Sequence, residues 1–421
     1  MMQPEKIIFI SIDTLRADHL GCYGYQRKTS PVIDSLAKTG VIFKNAFSPS
    51  SFTIPAHASI FTGKYPSHHS IGFNQGTGKL NTDIDITLAE YLKTKGLKTA
   101  AFVSSFVLRK QTNLDSGFDF YDDEMTSAEL NRPAELIRDG SETSDRAMTW
   151  ICKNKDDNFF VFLHLFDVHG PYACKEPYKS MFRNDVYNKR SEKLNSVVPD
   201  SHPIGGIPFY QVLKKILDKE GNIVSFETSL QYYISQYDGN IRYCDSVIGK
   251  LITVLQDLQI FDEVMLIITS DHGEAFGENN IFFFHGLTVT PEQIHVPLIL
   301  KPAKSFTDTQ RRICDPVTTL DIFPTIMSLF GDDPVLFNTE GKSLFNCADE
   351  KFSGNNENRI ISPENEGQVA IIKKDEPIVI KKKEKPSEPK MLFIPELIES
   401  LDNSEYPWNF GDSDFLETNN A

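Results

Sequence analysis

Four runs of apolar, β-branched and aromatic residues punctuate the chain: "IIFISID" (7–13), "KTAAFVSS" (98–105), "FFVFLHLFD" (159–167) and "VMLIITSD" (264–271). They are too short for core helices and do not alternate with polar residues. That pattern predicts strands buried on both faces, as in a parallel sheet. Between them the period changes. "DITLAEYLKTKG" (85–96) puts Leu88, Tyr91 and Leu92 on one face and stops at Gly96. "YCDSVIGKLITVLQDLQI" (243–260) repeats Val247, Leu251, Val254, Leu255 and Leu258 at helical spacing. Strands alternating with helices predict an α/β fold, with a central, mostly parallel sheet and helices on both faces.

Two regions break this rhythm. Residues 173–236 are polar, with "HPIGGIP" (202–208) in their midst, and are expected to form an insertion near the active site. From about residue 348 the chain changes character. "VAIIKKDEPIVIKKKEKPSEPKMLFIPEL" (369–397) reads as a β-hairpin interrupted by a charged, proline-containing loop, and the run "KKKEKPSEPK" (381–390) as solvated loop. The expected organisation is a catalytic domain over 1–347 and a small C-terminal α+β subdomain over 348–421.

Three of the four predicted strands end in polar side chains: Asp13, His164 with Asp167, and Asp271 with His272. Ligands of open α/β sheets bind beyond the carboxyl ends of the strands. Residues distant in sequence are therefore expected to meet at one sheet edge. Asp13, Asp271 and His272 are the candidate metal ligands. Carboxylate with imidazole suits Zn or Mn, and carboxylate alone suits Mg, Ca or Mn. In "HLFDVHGPY" (164–172), Asp167 and His169 are placed to hold an anion or a second metal, or to protonate a leaving group. "FFFHG" (282–286) adds His285.

"SFTIPAHASIFTG" (51–63) has the marks of a helix: Thr53 as a candidate N-cap, Pro55 in the first turn and Gly63 at the far end. Thr53 also offers a hydroxyl, a nucleophile once a metal activates it. The helix N-terminus beneath it favours a bound anion. His57 lies on the same helix face and is expected to touch the anion or the nucleophile.

Composition narrows the class. The 421 residues carry a net charge of −15, against a nucleic-acid partner, which would require a basic face. No apolar run approaches the ~20 residues of a membrane span. The six cysteines are scattered without a CxxC pair, which argues against a zinc knuckle or a dense disulfide framework. "MMQPEKIIFISID" shows no secretory pattern, and a cytoplasmic setting is expected.

Taken in order, "FISIDTLRADHLGCYGY", "AFSPSSFTIPAHASIFTGKYP", "HLFDVHGPY", "YDGNIRYCDSVIGKL", "ITSDHGEAFGE", "HVPLIL" and "VTTLDIFPTIMSLFG" resemble the sulfatase family of the alkaline phosphatase superfamily. The resemblance implies an alkaline-phosphatase-like sandwich and a divalent metal (Mn, Zn, Ca or Mg). It also implies hydrolysis or transfer of sulfate, phosphate or phosphonate esters on small-molecule, glycan or lipid-linked substrates. By position, Asp13, Asp271 and His272 become metal ligands, and Thr53 takes the nucleophile's place. His57, His169 and His285 join it as catalytic candidates, with His164 and Asp167 as substrate-binding candidates. Four departures shape the reading. Thr53 stands where a typical sulfatase has the Cys or Ser that becomes formylglycine. His57 replaces an arginine, and Thr14 replaces a second aspartate. "TAAFVSSFVL" (99–108) stands where a lysine–tryptophan–histidine segment is usual. These features resemble the threonine-nucleophile branch and imply phosphodiester or phosphonate cleavage. Sulfate-ester hydrolysis without formylglycine is the same-fold alternative, and a non-catalytic anion-binding homologue is the alternative of a different class.

Overall fold

The computed structural model describes residues 3–73, 78–183, 194, 196–200, 203–306, 311–347, 350–354, 359–383 and 405–406. The main sheet has eight strands. In chain order they are β1 (Lys6–Ile12), β2 (Val41–Phe47), β3 (Lys98–Phe102), β4 (Phe120–Asp122), β5 (Phe159–Leu165), β6 (Val264–Thr269), β7 (His295–Lys301) and β8 (Arg311–Thr318). Across the sheet the order is β8-β2-β7-β6-β1-β5-β3-β4, with β7 alone running against the rest. The four predicted strands, β6, β1, β5 and β3, are the contiguous parallel centre. The flanking strands are less legible: β2 carries Lys44 and Asn45, and β8 carries charges and a proline.

Alternation along β1 sorts the core. Ile7 and Phe9 face a layer containing Ile54, Ala58 and Phe61 of α2 (Thr53–Thr62) and Leu88 and Leu92 of α3 (Leu88–Thr94). Ile8, Ile10 and Ile12 face Ile151 of α4 (Gly140–Lys153) and Val247, Leu251 and Leu255 of α5 (Leu230–Asp257). Helices thus cover both faces. By the same parity Ser11 and Asp13 turn toward the α2 layer, and the register sets Ser11 opposite His164 and Thr269.

Helix α5 begins at Leu230, where Ser229 caps the Tyr232 amide, and not at Tyr243 as periodicity predicts. Its early turns bury Ser235, Gln236, Asp238 and Asn240 among the apolar residues, which blurs the hydrophobic stripe. Asp238 accounts for part of this. It accepts from Tyr25 and Arg27, and its other oxygen meets His19, which pins the loop after β1. The described part of 173–236 adds no strand to the main sheet. It instead zips onto the segment before His285, through the Ile204–Ile281 bridge and the Gly205 N–H to Asn280 carbonyl bond of 2.9 Å.

In the tail, Gln368–Ile371 and Ile378–Lys382 pair as an antiparallel hairpin. Ala370, Ile372, Ile378 and Ile380 pack on Phe47, Val289 and Ile294. The turn is "KKDEP" (373–377). Most of the run 381–390, the rest of the predicted hairpin to 397 and any helical part of the tail lie outside the described residues. Among the described residues no helix is long and apolar enough to cross a membrane.

Candidate active site

The site is built where β1 and β6 end. The Asp13 amide donates to the Leu165 carbonyl at 2.9 Å, extending the β1–β5 ladder by one residue. Thr14 then turns the chain with a φ of 57°, a left-handed conformation costly for a β-branched residue. Neighbours over-determine it: its N–H meets Asp271 Oδ1 at 3.2 Å, its carbonyl accepts from the Tyr237 hydroxyl, and Leu15 N–H meets Ser270 Oγ. This cross-tie brings the two loops together. Asp13, Asp271 and His272 offer one ligand atom each, all within 4.8 Å of one another, and all three residues have zero exposure.

The donor set fits a divalent cation. Asp13 Oδ1 and Asp271 Oδ2 are buried without a hydrogen-bond partner, while their sister oxygens are used by His164 (Nε2 at 3.2 Å) and by Thr14 and His272 amides. Uncompensated buried carboxylate oxygens are costly, and a cation relieves them. Burial and the adjacent Asp271 hold Asp13 well above the usual carboxylate range. Asp271 is lowered: burial opposes this, but His272, His57 and His164 outweigh it. His272 Nδ1 faces the Gly273 carbonyl at 3.0 Å, an acceptor only, so Nδ1 carries the proton and Nε2 keeps a lone pair for the cluster.

Thr53 opens α2, but Phe52 is the N-cap, with extended φ/ψ, and the Thr53 hydroxyl makes no capping bond. This corrects the N-cap expectation. The hydroxyl turns to His272 Nε2 at 3.1 Å. Thr53 retains 6% exposure, against none for the three candidate ligands. Gly63 ends the helix with φ 67°, as expected of a left-handed C-terminal stop.

The remaining histidines divide into two groups. His57 has no exposure. Its Nδ1 meets the Thr53 carbonyl at 2.9 Å and its Nε2 meets Ser11 Oγ at 3.0 Å, with Asp271 Oδ2 a further 3.8 Å contact. Burial pushes His57 and His164 each down to about 4, so both are neutral supports beneath the carboxylates. His57 thus meets the residue expected as nucleophile, through the Thr53 carbonyl, and His164 meets the candidate ligand Asp13. By contrast, His285 packs its ring 4.2 Å from that of His272, and His169 lies 5.2 Å from His285. Glu274 Oε1 meets His285 Nδ1 at 3.2 Å, and Tyr172 donates to Oε2 of the same carboxylate. Burial, with His285 and Arg132 nearby, holds His169 well below the usual imidazole range.

Asp167 stands apart. It accepts from the Gly140 amide at 3.1 Å at the start of α4, and burial beside Asp139 pushes it up to about 7. A Cβ on Gly140 would sit 2.2 Å from its Oδ2, which explains the glycine there. Asp167 Oδ1 thus faces a helix terminus, and its Oδ2 is buried without a hydrogen-bond partner. Sequence reasoning also passed over Ser11, Tyr172 and Glu274. Glu274 alone had a local signal, three residues after Asp271 in "SDHGE".

The sheet, its helical layers and the position of this strand-end cluster define an alkaline-phosphatase-like α/β fold. A protein solved with its substrate D-glucosamine-2-N,6-O-disulfate shares this fold at TM-score 0.66 and 18% identity, over 95% of this chain and 93% of that one. The phosphonate monoester hydrolase of Agrobacterium radiobacter aligns at TM-score 0.57 and 17% identity, over 90% and 89% of the two chains. A family model described as Sulfatase matches residues 5–332, and the chain belongs to the sulfatase family, whose members are hydrolases. An ulvan-active sulfatase of Formosa agariphila is 25% identical over 78% of this chain, which spans 62% of that relative's length.

Proposed function

We propose that the protein is a metal-dependent esterase that cleaves phosphodiesters or phosphonate esters, with unmodified Thr53 as nucleophile. The observation that carries this reading is the Thr53 hydroxyl, 3.1 Å from His272 Nε2 and directly above the buried Asp13–Asp271–His272 cluster. Threonine cannot be converted to formylglycine, so an alkoxide is the chemistry available at this position. A divalent ion (Mn, Zn, Ca or Mg) on the three ligands would supply charge that favours the alkoxide and neutralises the substrate anion.

The chain's own groups supply the rest. Thr53 Oγ bonds to phosphorus as the bond to the leaving alcohol breaks, and its proton passes to solvent. His285, oriented by Glu274, gives a proton from Nε2 to the departing oxygen. Neutral His169 has its Nδ1–H on the Gly170 carbonyl at 2.6 Å, which leaves Nε2 as a base for the water that hydrolyses the phospho-threonine. Thr53 then regains its proton. First-turn amides of α2 favour the anion throughout. The likeness to a phosphonate monoester hydrolase supports the phosphorus reading, and the likeness to sulfatases supports sulfate-ester hydrolysis by the same site as the second.

A panel of nitrophenyl phosphate diester, phosphonate, phosphate monoester and sulfate, each with Mn, Zn, Mg or Ca, separates the two. Faster turnover of the diester or phosphonate, with a phosphoryl adduct on the Thr53 peptide after rapid quench, is expected. Preferential release of sulfate overturns the phosphorus reading.

A further inference from the structure

The two histidines beside the ligand cluster sit on separate segments outside the main sheet: His169 on the loop 166–171, and His285 just past a short strand, Phe282–Phe284, that pairs antiparallel with Ala275–Phe276. Something has to set the distance between them. Gln211, from the insertion, lies between the two. Its side chain is fully buried, and its Nε2–H donates to the Phe283 carbonyl at 3.0 Å, two residues before His285. On its other side is Gly170, the residue after His169. A Cβ on Gly170 would fall 2.0 Å from Gln211 Nε2 and 2.2 Å from Oε1, so the amide is packed directly on that backbone. The same Gly170 carbonyl holds His169 Nδ1.

The Phe283 end is under strain. Phe283 has a φ of 53°, a left-handed conformation costly for a bulky residue that persists only where surroundings enforce it. Two donors enforce it here, Gln211 Nε2 and the Tyr210 hydroxyl at 3.3 Å, together with the Tyr233 ring stacked at 4.6 Å. Both donors come from outside the 282–286 segment.

We propose that Gln211 is a positioning residue that sets the separation and orientation of His169 and His285, working through Gly170 on one side and the strained Phe283 carbonyl on the other. Its catalytic consequence rests on the reading of His285 as the acid that protonates the leaving group. An acid displaced by even about 1 Å slows the reaction on the order of 100-fold, and the loss is greatest where the leaving group most needs its proton.

The test uses the full-length, metal-loaded protein with Gln211→Leu, which keeps volume and removes the donor, and Gln211→Glu, which keeps shape and turns an acceptor on the Phe283 carbonyl. Gln236→Leu, a buried amide on α5 that donates to the Lys179 carbonyl, is the control. Two quantities are read. Histidine-selective NMR follows the imidazole signals of His169 and His285, and kcat is measured over aryl phosphodiesters from 4-nitrophenol to unsubstituted phenol. Either Gln211 variant that folds, by circular dichroism, is expected to shift both imidazole signals. It should also lower kcat about 10–100-fold for phenol but only about threefold for nitrophenol, with KM within about twofold. Gln236→Leu should do neither. Unmoved imidazole signals in a folded Gln211 variant overturn the proposal, as does an equal loss across all leaving groups when His285→Gln shows a graded one. If His285→Gln itself shows no graded loss, the acid assignment fails, and the imidazole signals alone decide whether Gln211 positions the pair.

Discussion

The two halves of the site are built on different foundations. Asp13, Asp271 and His272 stand at the ends of adjacent parallel strands, locked by the β1–β6 ladder and by the Thr14 amide on Asp271. His169 stands on a loop and His285 just past the end of a two-stranded ribbon outside the main sheet, and their spacing is enforced from outside by Gln211 and by the strained carbonyl of Phe283. A charged ligand set cannot tolerate loose geometry without leaving buried carboxylates exposed to one another, so it belongs on the stiffest element available. Proton-transfer groups must instead suit a particular leaving group, and loops allow that adjustment. On the function proposed above, the strand-end half sets the reaction type, and the histidine half the substrate range.

The largest expected effect is at the junction of the halves. Thr53→Ala should retain fold and metal yet lose on the order of 1,000-fold or more in turnover, while Thr53→Ser stays measurably active. Near-normal turnover in the alanine variant, measured with the preferred ester, removes Thr53 from the mechanism and leaves it as a helix-start residue.

Within the strand-end half, ligand and support should separate. Asp271→Asn is expected to abolish stoichiometric metal and activity together, as prolonged chelation should in the parent protein. His57→Leu should weaken metal affinity by about 10–100-fold, as losses of outer-shell partners do, with kcat recovered at saturating metal. Metal titration of both variants by calorimetry and activity is the check. A His57→Leu defect that persists at saturating metal as a raised KM would return His57 to direct substrate contact.

The smallest effect lies outside both halves. Asp167 is pushed up to about 7 in the folded protein by burial and Asp139, against roughly 4 in an unfolded chain. The folded state therefore binds more protons between these values. The stabilisation is full below about pH 4 and is lost as pH rises through 7. Asp167→Asn still accepts from Gly140 and lacks this slope. Its Tm relative to the parent protein should therefore rise from pH 5 to pH 8, with metal binding unchanged. A pH-independent difference, or a change in metal affinity, would move Asp167 back toward the site.

What the amino-acid sequence determined by itself is what continuous local pattern encodes. The runs at 7–13, 98–105, 159–167 and 264–271 are the contiguous parallel centre of the sheet, because strands buried on both faces must be apolar throughout. Polar residues at the ends of such strands have one place to go, and Asp13, Asp271 and His272 met there with Thr53 above them. Residue type did not decide where His57, His164 and Asp167 point. His57 turns to Ser11 because strand parity puts that hydroxyl beneath α2. His164 backs Asp13 because the β1–β5 register sets it opposite Ser11, two residues before Asp13 on the same face, and Asp167 turns to a helix start. Gln211 left no local signal at all, since its role comes from lying between Gly170 and Phe283, residues remote from it and from each other along the chain. Only the packing of three separate segments creates that position, and a side chain's function there depends on distances that no local pattern of apolar and polar residues records.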